Sequence, residues 1–279
     1  MEFQNIKWEK EGRIGLITLN RPKSLNALSR DLLAELETLL AEIDRDENIG
    51  AFIITGGSRA DGRPCFSAGA DLKQVNTETR SSEQIVFDTL FGIATRKNGS
   101  GLAGSNVAFN DLGNSPKISI AAIDGVCTAG GLELALSCDI ILASETAQIS
   151  DLHVRNLGLI GGAASTTRLA RRVGVSKAIE LTCTCDTIDG KEAHRIHLAN
   201  QVYLPAELLP AAKAMGQKIA SMRPAALAMA KATCRAIYDM DYNMATRYTD
   251  ACSMAIHFGE AEWREKNKAG WQKPSAGVP

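Results

Sequence analysis

KISIAAIDGVCTAGGLELALSCD, Lys117–Asp139, is the stretch whose reading decides the architecture. Ile118 to Ile123 is an apolar run of buried-strand length, far short of a membrane span. Asp124-Gly125 ends it. Gly130-Gly131 permits a sharp turn, because glycine has no Cβ to clash. A helix is expected to start there, with Glu133 in its first turn among Leu132, Leu134, Ala135 and Leu136. Strand end, glycine turn and helix N-terminus therefore meet at one point. Free backbone N–H groups cluster at such a point, and the helix dipole favours negative charge there. The spot suits an anion, or an oxygen that becomes one during a reaction. It is not a phosphate loop, since neither G-x-x-x-x-G-K-[ST] nor G-x-G-x-x-G occurs in the stretch. Taken alone, a Gly-Gly turn serves close strand–helix packing, and a first-turn Glu serves the dipole at ~0.3–1 kcal/mol.

Around this stretch lie 279 residues, 45% hydrophobic and 23% charged, with a formal net charge of −1. These values fit one globular domain with a smaller appended part. Near-neutral charge, with no basic stripe interleaved with aromatics, argues against nucleic acid or an anionic membrane surface as partner. No apolar run reaches ~18–20 residues, so no transmembrane helix is expected. The opening MEFQNIKWEKEG has no apolar core of a signal peptide and is not an Arg-rich transit segment, so a cytoplasmic location is expected. Seven cysteines, an odd number and several in apolar surroundings, read as reduced structural thiols. Cys183-Thr-Cys185 lacks a second pair, and the four histidines form no H-E-x-x-H, so no metal site is expected.

Further strands are expected at Arg13–Leu19, Ala51–Thr55, Ile140–Ala143 and Ala147–Ile149. Ser29 caps a helix to about Arg45, whose Leu32, Leu36, Leu39, Leu40 and Ile43 share one face. Cys65–Lys73, CFSAGADLK, sets small residues around a glycine, which again allows backbone to approach a ligand. Ser81 and Gln84 have capping-box spacing for a helix to about Ala94. Residues 96–114, rich in Gly, Asn and Ser, read as a long loop, and 151–164 as glycine-rich and irregular. Helices dominate after Ser165: Ser165–Arg172, Val175–Thr182, one after the Asp189 cap, Pro205–Met222, Pro224–Tyr238 and Tyr242–His257. The class is α/β with a helical C-terminal region.

Three stretches in the same order resemble the enoyl-CoA hydratase/isomerase, or crotonase, superfamily: CFSAGADLK at 65–73, IAAIDGVCTAGGLELALSCDIILASETAQ at 120–148 and LGLIGGAASTTRLARRVG at 157–174. ITLNRPKSLNALS at 17–29 fits as well, so the resemblance covers nearly the whole chain. It implies a crotonase-like (ClpP/crotonase) spiral of ββα units over 1–200 and a C-terminal helical region, 201–279, that forms trimers or dimers of trimers. It implies an acyl-CoA thioester substrate, coenzyme A being part of that substrate and no separate cofactor being needed. The N–H groups matching the family's oxyanion hole are those of Ala70 and Gly130. Lys23, Ala68 and Asp71 match positions near CoA. Family hydratases hold one water between two glutamates. Glu133 matches the first, and His153, in AQISDLHV, stands where the second is expected. A carboxylate can act as base while an imidazolium acts as acid. Asp151 reads as a turn residue, with orientation of His153 or replacement of the missing acid as its other reading.

Three functions follow from that resemblance. The first is an acyl-CoA lyase of hydratase type, with Glu133 and His153 catalytic. The second is thioester or C–C bond hydrolysis or isomerisation on the same two residues. The third is an acyl-CoA-binding subunit without turnover.

Overall fold

The computed structural model describes residues 3–75, 101–258 and 265. The helix expected from Ser81 to Ala94, and residues 96–100 of the expected loop, lie outside the described residues. A six-stranded sheet runs in the order β1 (Ile6–Glu11), β2 (Ile14–Leu19), β3 (Ala51–Gly56), β5 (Ile118–Ile123), β7 (Ile140–Ser144), β9 (Gln201–Tyr203). Only the β1–β2 hairpin is antiparallel, and every other pairing in this sheet is parallel. Parallel strands are covered on both faces, which explains why β3 and β5 read as near-continuous apolar runs. On one face lies α1 (Arg30–Arg45), whose Leu32, Leu36, Leu39, Leu40 and Ile43 join Ile17, Phe52, Ile54 and Ala121. The Ser29 side chain accepts the Leu32 N–H, so the expected cap forms. On the other face Ile14, Ile53, Ile120 and Leu142 meet Leu208, Ala212 and Ala220 of a long helix, Pro205–Ala220.

A second sheet is small and wholly parallel: β4 (Cys65–Ser67), β6 (Val126–Thr128) and β8 (Gln148–Ser150). Two strand–strand–helix units are plain. β5, β6 and α4 (Gly130–Ser137) form one, and β7, β8 and α5 (His153–Leu157) form the next. Of these strands β8 falls at the expected Ala147–Ile149, whereas β4 and β6 are too short to carry a periodic signal of their own.

Two expectations need correction. Residues 101–114 are not loop but helix α3 (Gly101–Asn114), the next described helix after the single turn α2 (Leu72–Val75). Its Ala108, Phe109 and Leu112 are fully buried in the main core, and that burial outweighs the poor helix propensity of its glycines and asparagines. Within 151–164, His153–Leu157 forms one helical turn closed by Gly158 in the left-handed conformation. The later helices fall where expected: α6 (Ser165–Val173), α7 (Val175–Thr184), α8 (Gly190–Arg195), α9 (Pro205–Ala220), α10 (Pro224–Ala236) and α11 (Tyr242–Phe258). The chain divides into compact units at Ala220/Ser221, so α9 belongs with the α/β unit. The second unit contains α10 and α11. No described helix is long and apolar enough to cross a membrane.

Candidate active site

The C-terminal ends of β4, β6 and β8 lie side by side, because their strands pair in parallel. Ligands of open α/β sheets bind beyond such ends. Beyond β4 come Ala68, Gly69 and Ala70; beyond β6, Ala129 and Gly130; beyond β8, Asp151 and His153.

The β4 loop is fastened by the chain around Asn26. Buried Asn26 donates to the carbonyls of Gly57 and Cys65 and accepts the Arg21 N–H. Ser67 Oγ donates to the Asn26 carbonyl and accepts the Gly69 N–H. Leu28 N–H donates to Gly69 O at 2.8 Å, and Asp71 N–H to Leu28 O at 3.1 Å. With both neighbours turned towards Leu28, the alternation of an extended chain turns the Ala70 N–H the other way. There it meets the start of α4: a Cβ on Gly130 would stand 3.2 Å from Ala70 N, and one on Gly69 would stand 2.9 Å from Gly130 N. Gly69 has φ +97°, so a side chain there is disfavoured on both counts. Gly130 is the first residue of α4, so its N–H has no intrahelical acceptor. Ala129 enters the helix at φ 50°, ψ −120°, a strained corner for a residue with a Cβ. Two N–H groups thus converge at a helix N-terminus, a preformed cradle for negative charge on one oxygen.

Glu133 lies one turn into α4, 5% exposed, and His153 opens α5 at 7% exposed. His153 Nε2 stands 3.4 Å from Glu133 Oε1, an ion-pair contact. That oxygen is buried and has no hydrogen-bond partner. On the far side of the ring, His153 Nδ1 and Asp151 Oδ1 are 2.6 Å apart, and the same oxygen accepts the His153 backbone N–H. Asp151 is itself 4% exposed. Asp151 thus makes the Asx turn expected of it and, by its other reading, also orients the ring, so that Nε2 faces Glu133. Burial pushes the Glu133 carboxyl above its ordinary range, although the His153 charge and a Gly162 N–H pull it partly back. Burial pulls the His153 imidazole down, but the Asp151 hydrogen bond and the Glu133 charge outweigh it, leaving it raised. The charged forms of Glu133 and His153 thus each favour the other.

The structure brings Glu133 and His153 together, and places Ala70 beside Gly130. Lys23 is exposed on the turn Pro22–Ser24, and the next residue but one, Leu25, accepts the Ala68 N–H. Asp71 forms an ion pair with Arg21 at 2.9 Å, largely shielded from solvent, which ties the end of the β4 loop back to that turn. Asn26, Ser67 and Ser165 went unnoticed in the sequence. All three lie inside the quoted motifs, but nothing in a linear motif separates a side chain that binds from one that braces.

Known proteins resemble the chain over most of its length. The model of the enoyl-CoA hydratase/isomerase family matches residues 9–273. A short-chain-enoyl-CoA hydratase of Clostridium acetobutylicum is 39% identical over 231 residues, 83% of this chain and 81% of that protein. The solved enoyl-CoA hydratase of Bacillus anthracis superposes with a TM-score of 0.80 at 30% identity, over 95% of this chain and 97% of the other. A Thermobifida fusca structure solved in complex with CoA has a TM-score of 0.78 at 28% identity, over 92% and 95% of the two chains. The fold is therefore crotonase-like, and the chain belongs to the enoyl-CoA hydratase/isomerase family of enzymes.

Proposed function

We propose that this enzyme adds water to a 2-enoyl-CoA thioester, or removes it, with Glu133 and His153 as a carboxylate–imidazole pair in place of two glutamates. The observation that carries this reading is the buried Glu133 Oε1, without a hydrogen bond, facing His153 Nε2 at 3.4 Å, next to the paired N–H groups of Ala70 and Gly130. Glu133 takes a proton from water as the water oxygen bonds to Cβ. The electrons of the double bond move to the thioester oxygen, where Ala70 and Gly130 N–H hold the enolate, a contribution of about 3–4 kcal/mol per donor in comparable sites. His153 delivers a proton to Cα, and transfer from Glu133 to His153 resets the pair. Every group is supplied by the chain, so the scheme calls for no cofactor. Lys23 and Ala68 form the wall we assign to CoA, with Asp71 bracing it.

The location we propose is cytoplasmic, in keeping with seven free cysteines. The assembly we propose is a homotrimer or a dimer of trimers built on the C-terminal helices. It is supported by exposed Ile237, Tyr238, Tyr242, Met244 and Met254 in the second unit, and light scattering at several concentrations tests it.

The test of function is turnover of a short trans-2-enoyl-CoA, followed by loss of conjugated absorbance and by product mass. Gain of one water with the thioester intact is expected, and Glu133→Gln should abolish it. Release of free CoA instead would move the assignment to thioester hydrolysis. Tight CoA-ester binding with no turnover of any enoyl-CoA would leave only the binding role.

A further inference from the structure

Ser165 opens α6, is 3% exposed, and has a hydroxyl with no hydrogen-bond partner. An orphaned buried hydroxyl is uncommon and costs stability, so it calls for an explanation. Its surroundings supply one. A Cβ built on Gly161 would stand 2.4 Å from Ser165 Oγ, 2.7 Å from Glu133 Oε1 and 2.9 Å from His153 Cε1. The orphaned hydroxyl, the carboxylate oxygen without a hydrogen bond and the imidazole ring therefore all flank Gly161, and a side chain there would fill the space between them. The Ser165 N–H is already engaged by the Gly162 carbonyl at 2.8 Å, so the residue's backbone is anchored while its hydroxyl is left over.

We propose that Ser165 Oγ is a third protein partner of the reacting water, sharing it with Glu133 and His153, and that Gly161 keeps the floor of this cradle open. The inference rests on the hydratase reading and deepens it. A water molecule has two protons and two lone pairs. Glu133 Oε1 accepts the proton that will be lost. Ser165 Oγ accepts the other. The His153 ring donates to one lone pair, and the second is left free to attack Cβ. With two acceptors and one donor fixed, the attacking lone pair has one direction. A site with only Glu133 and His153 would let the water swing about the axis joining them. Positioning of this kind is worth about a hundredfold when lost through a 1 Å misplacement.

The experiment compares wild-type, Ser165→Ala and Gly161→Ala proteins in hydration of a short trans-2-enoyl-CoA, with melting temperature and CoA-ester affinity measured alongside. Ser165→Ala should lower kcat about tenfold to a hundredfold, with KM and affinity within twofold of wild type. Its melting temperature should be equal or higher, since the substitution removes an unpaired buried hydroxyl. Gly161→Ala should lose at least as much kcat. Wild-type kcat in Ser165→Ala overturns the proposal while leaving the hydratase reading intact. So does a loss of kcat that tracks a lowered melting temperature, because that pattern belongs to a packing role. A wild-type protein that hydrates no enoyl-CoA overturns both.

Discussion

The end of β6 and the end of β8 deliver the two halves of the proposed site by opposite means. At β6 the working groups are backbone: the Gly130 N–H, the turn at Ala129, and the close contact of Gly131 with Ser67, whose carbonyl a Gly131 Cβ would approach to 2.4 Å. At β8 they are side chains: Asp151, His153 and their bonds at 2.6 and 3.2 Å. A backbone site is written in the residues that can tolerate it, so glycines betray it. A side-chain site can be built from ordinary residues, and its meaning depends on which way they point.

The sharpest way to break the comparison is to remove one side chain at β8. His153→Ala should cost about 10²–10⁴ in kcat, the usual worth of a positioned acid or base, and leave the fold intact. Retained turnover would shift the chemistry to Asp151 or to Glu133 alone. At β6 the corresponding change should strike the fold first. Gly131→Ala forces a methyl onto the Ser67 backbone, an overpacking cost of about 1–3 kcal/mol, visible as a lower urea midpoint.

A pH profile sharpens the β8 half. The acid limb of kcat/KM should lie above the ordinary carboxylate range, because burial raises Glu133. The alkaline limb should lie above the ordinary imidazole value. There burial alone would lower His153, but Asp151 and Glu133 outweigh it. Asp151→Asn removes a raising influence, so its alkaline limb should move to lower pH, with kcat reduced about tenfold. An unmoved limb would mean that His153 does not set it. Stability follows the same signs. Both groups bind their protons more tightly folded than unfolded, so their joint contribution falls as pH rises, from the ordinary carboxylate value through the raised imidazole value. The smallest expected effect is that of Ala129→Gly. It relieves a strained corner but loosens the unfolded chain, so the net change should stay within about 1 kcal/mol, read by denaturant titration.

This contrast also governs how much was legible in the sequence. The β5 run, the Gly130-Gly131 turn and Glu133 stood out because strand, turn and helix each have a local signature. Ala70 stood out because small residues around a glycine invite close approach. His153 became interesting only through the resemblance, and Asp151 looked like a turn residue because the sequence does not show that its carboxylate folds back on the ring two residues later. Ser165 read simply as the start of a helix, since burial of a hydroxyl is decided by Gly161 and Glu133, distant or unremarkable in the chain. Helix α3 was missed for a related reason: Phe109 and Leu112 gain their helix by docking in the core, not from their own neighbours.

Cys65 opens β4, the strand that leads into the loop holding Ala70, and Cys127 lies in the neighbouring β6, paired with Ser67. Both thiols are buried, and burial pushes Cys65 up to about 11. The walls of the site therefore present almost no thiolate to an alkylating reagent near neutral pH. Cys183 and Cys234, by contrast, are exposed. Fluorophores or spin labels attached through thiol chemistry will collect on those two, at a distance in sequence from every reacting group. The unaltered chain can thus be tethered or labelled for single-molecule work while the buried thiols of its small parallel sheet stay chemically silent.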